Sequence, residues 1–89
     1  MPSVYIKHGV TDVARWRQAF DEHDEDRRRY GLTVRSVEQS PDDSEIIIVL
    51  DATDLERAKE FAASANLREA MLRAGALGPL EIWFGETLR

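Results

Sequence analysis

Residues 46–50 read Ile-Ile-Ile-Val-Leu, an unbroken apolar run, and few folds can accommodate one. Successive side chains of a β-strand point to opposite faces, so a strand here is apolar front and back. An antiparallel sheet with one wet face alternates apolar with polar residues instead. If helices cover one face, something else has to cover the other. Leu80, Ile82 and Phe84 opposing Trp83 repeat the pattern near the C-terminal end. The cover is either the chain's own loops or a second copy of the sheet. In a chain of 89 residues little is left over for loops, so a sheet-to-sheet homodimer is expected.

The neighbouring elements follow from local chemistry. Residues 3–8 (SVYIKH) have strand composition, and Gly9 is expected to break the strand. Thr11 or Asp12 can cap a helix that runs to about residue 30 and stops at Gly31. Its apolar positions Val13, Trp16, Phe20 and Tyr30 share one stripe. Residues 32–40 form a second strand, 41–44 (Pro-Asp-Asp-Ser) a turn, and 45–51 the third strand, paired with the second as a hairpin. Thr53 and Glu56 have capping-box spacing at the head of a second helix reaching about residue 63. Asn66 is placed to cap another short helix, striped by Leu67, Ala70, Met71 and Ala74 and ended by Gly75. Gly78-Pro79 reads as a loop and residues 80–87 as the last strand. The order β-α-β-β-α-β, with its second helix split, predicts an α+β ferredoxin-like fold. That fold is a four-stranded antiparallel sheet with helices on one face, here one domain over residues 1–89.

Composition excludes several classes of function. The net charge is −5, from 17 acidic and 12 basic side chains, which argues against binding a phosphate backbone. Two histidines and no cysteine supply neither a disulfide nor a zinc finger. The start MPSVYIKHGV lacks a signal-peptide pattern and no apolar run is long enough for a membrane span, so a cytoplasmic protein is expected. No G-x-G-x-x-G follows a strand, so neither a flavin nor a nicotinamide is indicated, and no serine or cysteine nucleophile motif is present.

Three segments, VYIKHGVTDVARWRQAFDEH, SEIIIVLDATDLERAKEFAAS and LREAMLRAGALGPLEIWF, together resemble one group of proteins. They are similar to small bacterial members of the dimeric α/β-barrel superfamily, near the antibiotic-biosynthesis monooxygenases and polyketide cyclases. The resemblance implies two sheets stacked face to face as a barrel, with a pocket between sheet and helices in each subunit. It also implies a choice among cofactor-independent oxygenases, cyclases, isomerases, haem-degrading enzymes and proteins without activity, which the fold cannot decide. The haem-degrading relatives carry an axial histidine on a helix of the second half. Here no histidine follows His23, so haem is not carried over, and no cofactor is expected.

The residues that can do chemistry lie on the first helix and first strand. His23 continues the Trp16–Phe20 stripe and faces the sheet, either as an acid–base group or as a satisfied core histidine. Arg27 follows one turn later, either to hold an enolate, phenolate or carboxylate oxygen or to snorkel into water. His8 shares a face with Val4 and Ile6; it is either the second histidine at the cleft rim or an exposed strand end. Trp16, Phe20, Tyr30, Phe61 and Met71 are expected to line a hydrophobic ligand, with Phe84 also available and Trp83 serving there or in the dimer interface. The run from Asp21 to Arg29 invites a metal through Glu22 and Asp26. Asp24–Arg28 and Glu25–Arg29 pairs at i,i+4 explain it better, and no metal is expected. Two functions follow. One is a cofactor-independent monooxygenase-like or cyclase/isomerase-like enzyme for a small aromatic or enolisable substrate, using His23, His8 and Arg27. The other is a non-catalytic homodimeric module that binds a hydrophobic small molecule.

Overall fold

The computed structural model describes residues 1–42 and 44–88; Asp43, in the turn expected at 41–44, lies outside the described residues. The elements are β1 (Pro2–Val10), α1 (Val13–Glu22), α2 (Asp24–Arg29), β2 (Leu32–Gln39), β3 (Glu45–Ala52), α3 (Leu55–Ala62), α4 (Ala65–Ala74) and β4 (Ala76–Glu86). The strands make one antiparallel sheet in the order β2-β3-β1-β4. This is the α+β ferredoxin-like arrangement that the element order predicts.

Val4, Ile6, His8 and Val10 of β1 and Ile46, Ile48, Leu50 and Ala52 of β3 are buried. They pack with Trp16, Ala58, Phe61, Leu67 and Ala74 from the helices into one core. The alternate residues Tyr5, Lys7, Ile47 and Val49 are only half-buried. The outer face is therefore apolar at its centre, as the 46–50 run requires. Arg35 closes one end of that face, donating to Asp51 Oδ1 at 2.9 Å and to Ser3 Oγ at 2.7 Å.

Two glycine signals come out differently. Gly9 does not end β1, and Gly78-Pro79 is not a loop; both lie inside strands. Lys7 pairs with Glu81 but Gly9 with Leu77, so β4 carries the extra residues of a bulge. Gly78 takes the left-handed φ of 71° within that bulge, and Pro79 is tolerated because β4 is an edge strand with no neighbour awaiting its amide. A Cβ on Gly9 would come within 3.1 Å of Leu77 Cβ, so close approach is what this glycine provides.

The caps also differ from expectation. Asp54 caps α3 by accepting from Glu56 N, so Thr53 lies one residue outside the helix and no capping box forms. Ser64, not Asn66, caps α4 by accepting from Leu67 N at 3.1 Å. That frees the Asn66 side chain for another partner. The long first helix is interrupted at His23, whose amide is shared between the carbonyls of Ala19 and Phe20 at 3.2 Å each. Beyond it, α2 has Asp24, Glu25 and Asp26 in its first turn and Arg27, Arg28 and Arg29 in its last, the polarity that suits a helix dipole. The Asp24–Arg28 and Glu25–Arg29 ion pairs form as the spacing predicts, at 2.9 and 3.5 Å.

A second bulge shapes the edge nearest the helices. β2 pairs Val34 with Leu50 but Ser36 with Val49, leaving Arg35 as the extra residue. Side-chain parity reverses there. Leu32 and Val34 face the helices before the bulge; Val37 and Gln39, opposite Ile48 and Ile46, face them after it.

Candidate functional site

Two buried histidines divide the space between helices and sheet. His8, 2% exposed, donates from Nδ1 to its neighbour Gly9 O at 2.8 Å and accepts from Trp16 Nε1 at Nε2, at 3.1 Å. An indole N–H can only donate, so Nε2 is the unprotonated nitrogen and the tautomer is fixed. Both nitrogens are engaged. Trp16 in turn stacks on Phe20 with ring centroids 4.8 Å apart.

His23 sits at the α1–α2 junction and is 3% exposed. Its Nε2 donates to Asn66 Oδ1 on α4 in a short hydrogen bond, with Asp26 Oδ2 3.6 Å away. Because a carbonyl oxygen only accepts, the proton is on Nε2 and a neutral ring carries its lone pair on Nδ1. The ring lies 5.8 Å from that of Phe61. Asn66 is the hydrogen-bond partner of His23 that sequence reasoning missed. Its i,i+4 offset from Ala70 on the α4 stripe was the available signal, masked by its suitability as a cap.

Arg27 does not snorkel: it is 3% exposed. Its Nη2 donates to Phe20 O at 2.8 Å and reaches Asp24 Oδ1 at 3.4 Å, and its Cζ stands 3.8 Å from the centre of the Phe20 ring. Its Nε is buried with no partner. Burial pulls the guanidinium pKa below its ordinary value, and the charge and hydrogen bond of Asp24 act in the opposite direction.

An outer cleft and an inner void bear on these residues, beside a shallow recess at Asp24 and Arg27. A cleft of about 260 Å³ opens between α1 and β2–β3, lined by Val13, Trp16, Phe20, Val37, Gln39 and Ile46 among others. Behind it, an inner void of only about 10 Å³ is lined by Phe20, His23, Arg27, Phe61, Leu67 and Met71 with the sheet residues Ile6, Ile48 and Leu50. That volume is at the lower limit for a single water. The structure thus brings His23, Arg27, Phe20, Phe61 and Met71 together, and sets Trp16 with Phe20 in the outer cleft. His8 lines neither cavity; it is buried behind Trp16, neither at a rim nor at an exposed strand end. Tyr30 packs edge-on against Phe61 at 5.4 Å and carries the Arg57 guanidinium 5.5 Å over its ring.

A ferredoxin-like sheet with an apolar space between it and its helices, holding a buried imidazole and guanidinium, defines the class of this protein. Solved structures share that fold. A Bordetella bronchiseptica protein named for antibiotic biosynthesis monooxygenases superposes with a TM-score of 0.80 at 14% identity, covering 99% of this chain and 97% of that one. SnoaB, a cofactor-independent oxygenase from Streptomyces nogalater, crystallised as a mutant, gives 0.74 at 15% identity over 99% and 93%. A NIPSNAP domain protein from Burkholderia xenovorans gives 0.65 at 11% identity over 98% and 94%. At these identities the likeness establishes the fold. Neither a family model nor a curated protein matches the sequence.

Proposed function

We propose that this chain is a cofactor-independent monooxygenase-like or cyclase/isomerase-like enzyme acting on a small aromatic or enolisable substrate. The observation that supports this reading is the convergence of His23 and Arg27 on an otherwise apolar inner void, with Asn66 holding the imidazole from an exposed position on α4. Nδ1 of His23 takes a proton from the carbon beside a carbonyl or from a phenol, while Nε2 remains held by Asn66. The enolate or phenolate oxygen is stabilised by Arg27. Trp16, Phe61 and Met71 hold the ring system, with Phe20 bordering the site at its entrance and Tyr30 supporting Phe61. His8 assists as a positioning residue through its hydrogen bond to Trp16. The oxygenase branch is favoured by the fold shared with SnoaB, named as a cofactor-independent oxygenase.

A panel of phenols and β-dicarbonyl compounds tests this, followed by oxygen uptake for the first branch and by enol absorbance for the second. Replacing His23 with glutamine is expected to lower turnover by about 100-fold or more with the circular dichroism spectrum unchanged. Turnover equal to wild type removes His23 from the chemistry. The second reading is a non-catalytic homodimeric module for a hydrophobic small molecule, and the smallness of the inner void favours it. Ligand binding across the panel without turnover of any member selects that reading.

The assembly belongs to the same proposal. A hollow of about 400 Å³ on the outer sheet face is lined by Tyr5, Lys7, Ile47, Trp83 and Phe84, and Trp83 is 51% exposed. A second copy seated there, sheet against sheet, covers what the helices leave bare. Light scattering at micromolar concentration is expected to give twice the 10.2 kDa chain mass, and Trp83→Glu to return the monomer. A wild-type monomer removes the dimer from the proposal. Among the described residues no helix is long and apolar enough to cross a membrane, and a cytoplasmic location is part of the same reading.

A further inference from the structure

Phe20 is common to the outer cleft, the inner void and a shallow recess beside Asp24 and Arg27. One side chain therefore stands between the cleft and the buried polar pair, while Arg27 also borders the recess. Phe20 contacts Trp16 on the cleft side and the Arg27 guanidinium on the other. The cleft alone, at about 260 Å³, falls just short of the roughly 300–1,000 Å³ usual for ligand sites. The buried Nε of Arg27 has no acceptor, and a buried donor left unpaired is costly.

The geometry points to a single ligand site made of cleft plus void, closed in the free protein by Phe20, whose ligand is a planar aromatic anion. Its ring takes the place of the Phe20 phenyl between Trp16 and Arg27, and its carboxylate or phenolate oxygen accepts from Arg27 Nε. This deepens the proposal above and rests on its ligand space. Three features fit this class of ligand. The phenyl already shows that an aromatic ring is accommodated against both indole and guanidinium. A flat ring gains from a guanidinium face. An anionic oxygen forms a charge-assisted bond with the one donor that lacks a partner. Phe20 is half-buried, so its ring can move toward solvent without crossing the core. Phe20 thereby acts as a specificity residue: it sets how much binding energy is needed to reach Arg27.

Calorimetry with 2-naphthoate as probe, and 2-naphthamide as its uncharged counterpart, tests this. Phe20→Leu is expected to bind 2-naphthoate about tenfold tighter than wild type, equivalent to about 1.4 kcal/mol. Adding Arg27→Met is expected to abolish that gain, with a clearly smaller loss for 2-naphthamide. No gain in Phe20→Leu, or a gain that survives Arg27→Met, overturns the inference. If either variant unfolds, the wild-type protein decides. On titration with millimolar 2-naphthoate the Arg27 Nε–H resonance must shift, and a stationary resonance overturns the site. Arg27-dependent binding without turnover keeps this site and removes the enzymatic reading. Turnover undiminished by Arg27→Met does the reverse.

Discussion

The corner around His8 and the corner around His23 contain the same residue type at almost the same burial, yet their ring nitrogens are occupied differently. His8 has a donor at one nitrogen and an acceptor at the other, both satisfied by Trp16 and Gly9. His23 is fixed through Nε2 alone by Asn66, beside an arginine whose Nε has no partner and a void that no side chain fills. A saturated buried group contributes to the uniqueness of the fold. An incompletely satisfied one is where a ligand has something to gain. Burial alone does not distinguish the two corners; the bookkeeping of their nitrogens does.

The sharpest way to break this comparison is His8→Leu. Removing the acceptor leaves the Trp16 indole N–H buried and unpaired, at a cost of about 1–3 kcal/mol. For a chain this small that is a fall in Tm on the order of 10 °C, readable by thermal circular dichroism, with turnover of the folded protein lowered far less than by His23→Gln. If turnover vanishes while Tm holds, the two corners have exchanged roles. Asn66→Ala is the milder test on the other side. Loss of its hydrogen bond to His23 should cost about 1 kcal/mol and disorient the imidazole, so activity should drop more than stability; the nitrogen shifts of His23 in NMR should report the altered tautomer. Equal losses of both would mean that Asn66 only packs.

The smallest effect calibrates the others from outside both corners. Asp42 accepts from Ser40 Oγ and from both Ser44 N and Ser44 Oγ. These bonds, those from the Ser44 and Ser40 hydroxyls foremost, lower its pKa from 3.8 to about 2. Since the folded value is depressed, its contribution is complete above the unfolded pKa of 3.8 and is lost as pH falls toward about 2. Asp42→Asn is expected to flatten the stability profile in that window and to lower its plateau near neutrality, the two curves converging as pH falls toward about 2. A slope identical to wild type would show that the turn is not carboxylate-dependent.

How far the sequence reaches can be judged from particular residues. The 46–50 run, the helix stripe through Trp16 and Phe20, and Gly75 correctly gave a strand apolar on both faces, the packed face of α1 and the end of α4, because each depends on periodicity or on one backbone angle. His23 was legible as inward-facing for the same reason, whereas for Arg27 the stripe left open the snorkelling that the structure overturns. What local reading misjudged was competition. Asp54 and Ser64 took the caps assigned to Thr53 and Asn66, because neighbouring residues offered equally good acceptors. The bond from Asn66 to His23 joins positions 43 residues apart, and no local pattern contains it. Gly9 and Gly78 were read as strand breakers, whereas pairing across an edge strand converted them into a bulge.

The single surplus residue at Arg35 has a consequence for how this fold can be altered. Because every position of β2 beyond it is displaced by one count, Val37 and Gln39 reach the cleft wall only because the strand absorbs that surplus as a bulge. Drawing Arg35 into the ladder opposite Val49 would turn both to the other surface and set Ser36 opposite Ile48, whereas excising Arg35 would leave the present pairing and facing intact. The composition of the recess thus depends on where the strand sheds its surplus, and a bulge that slips can rewrite it without a single substitution.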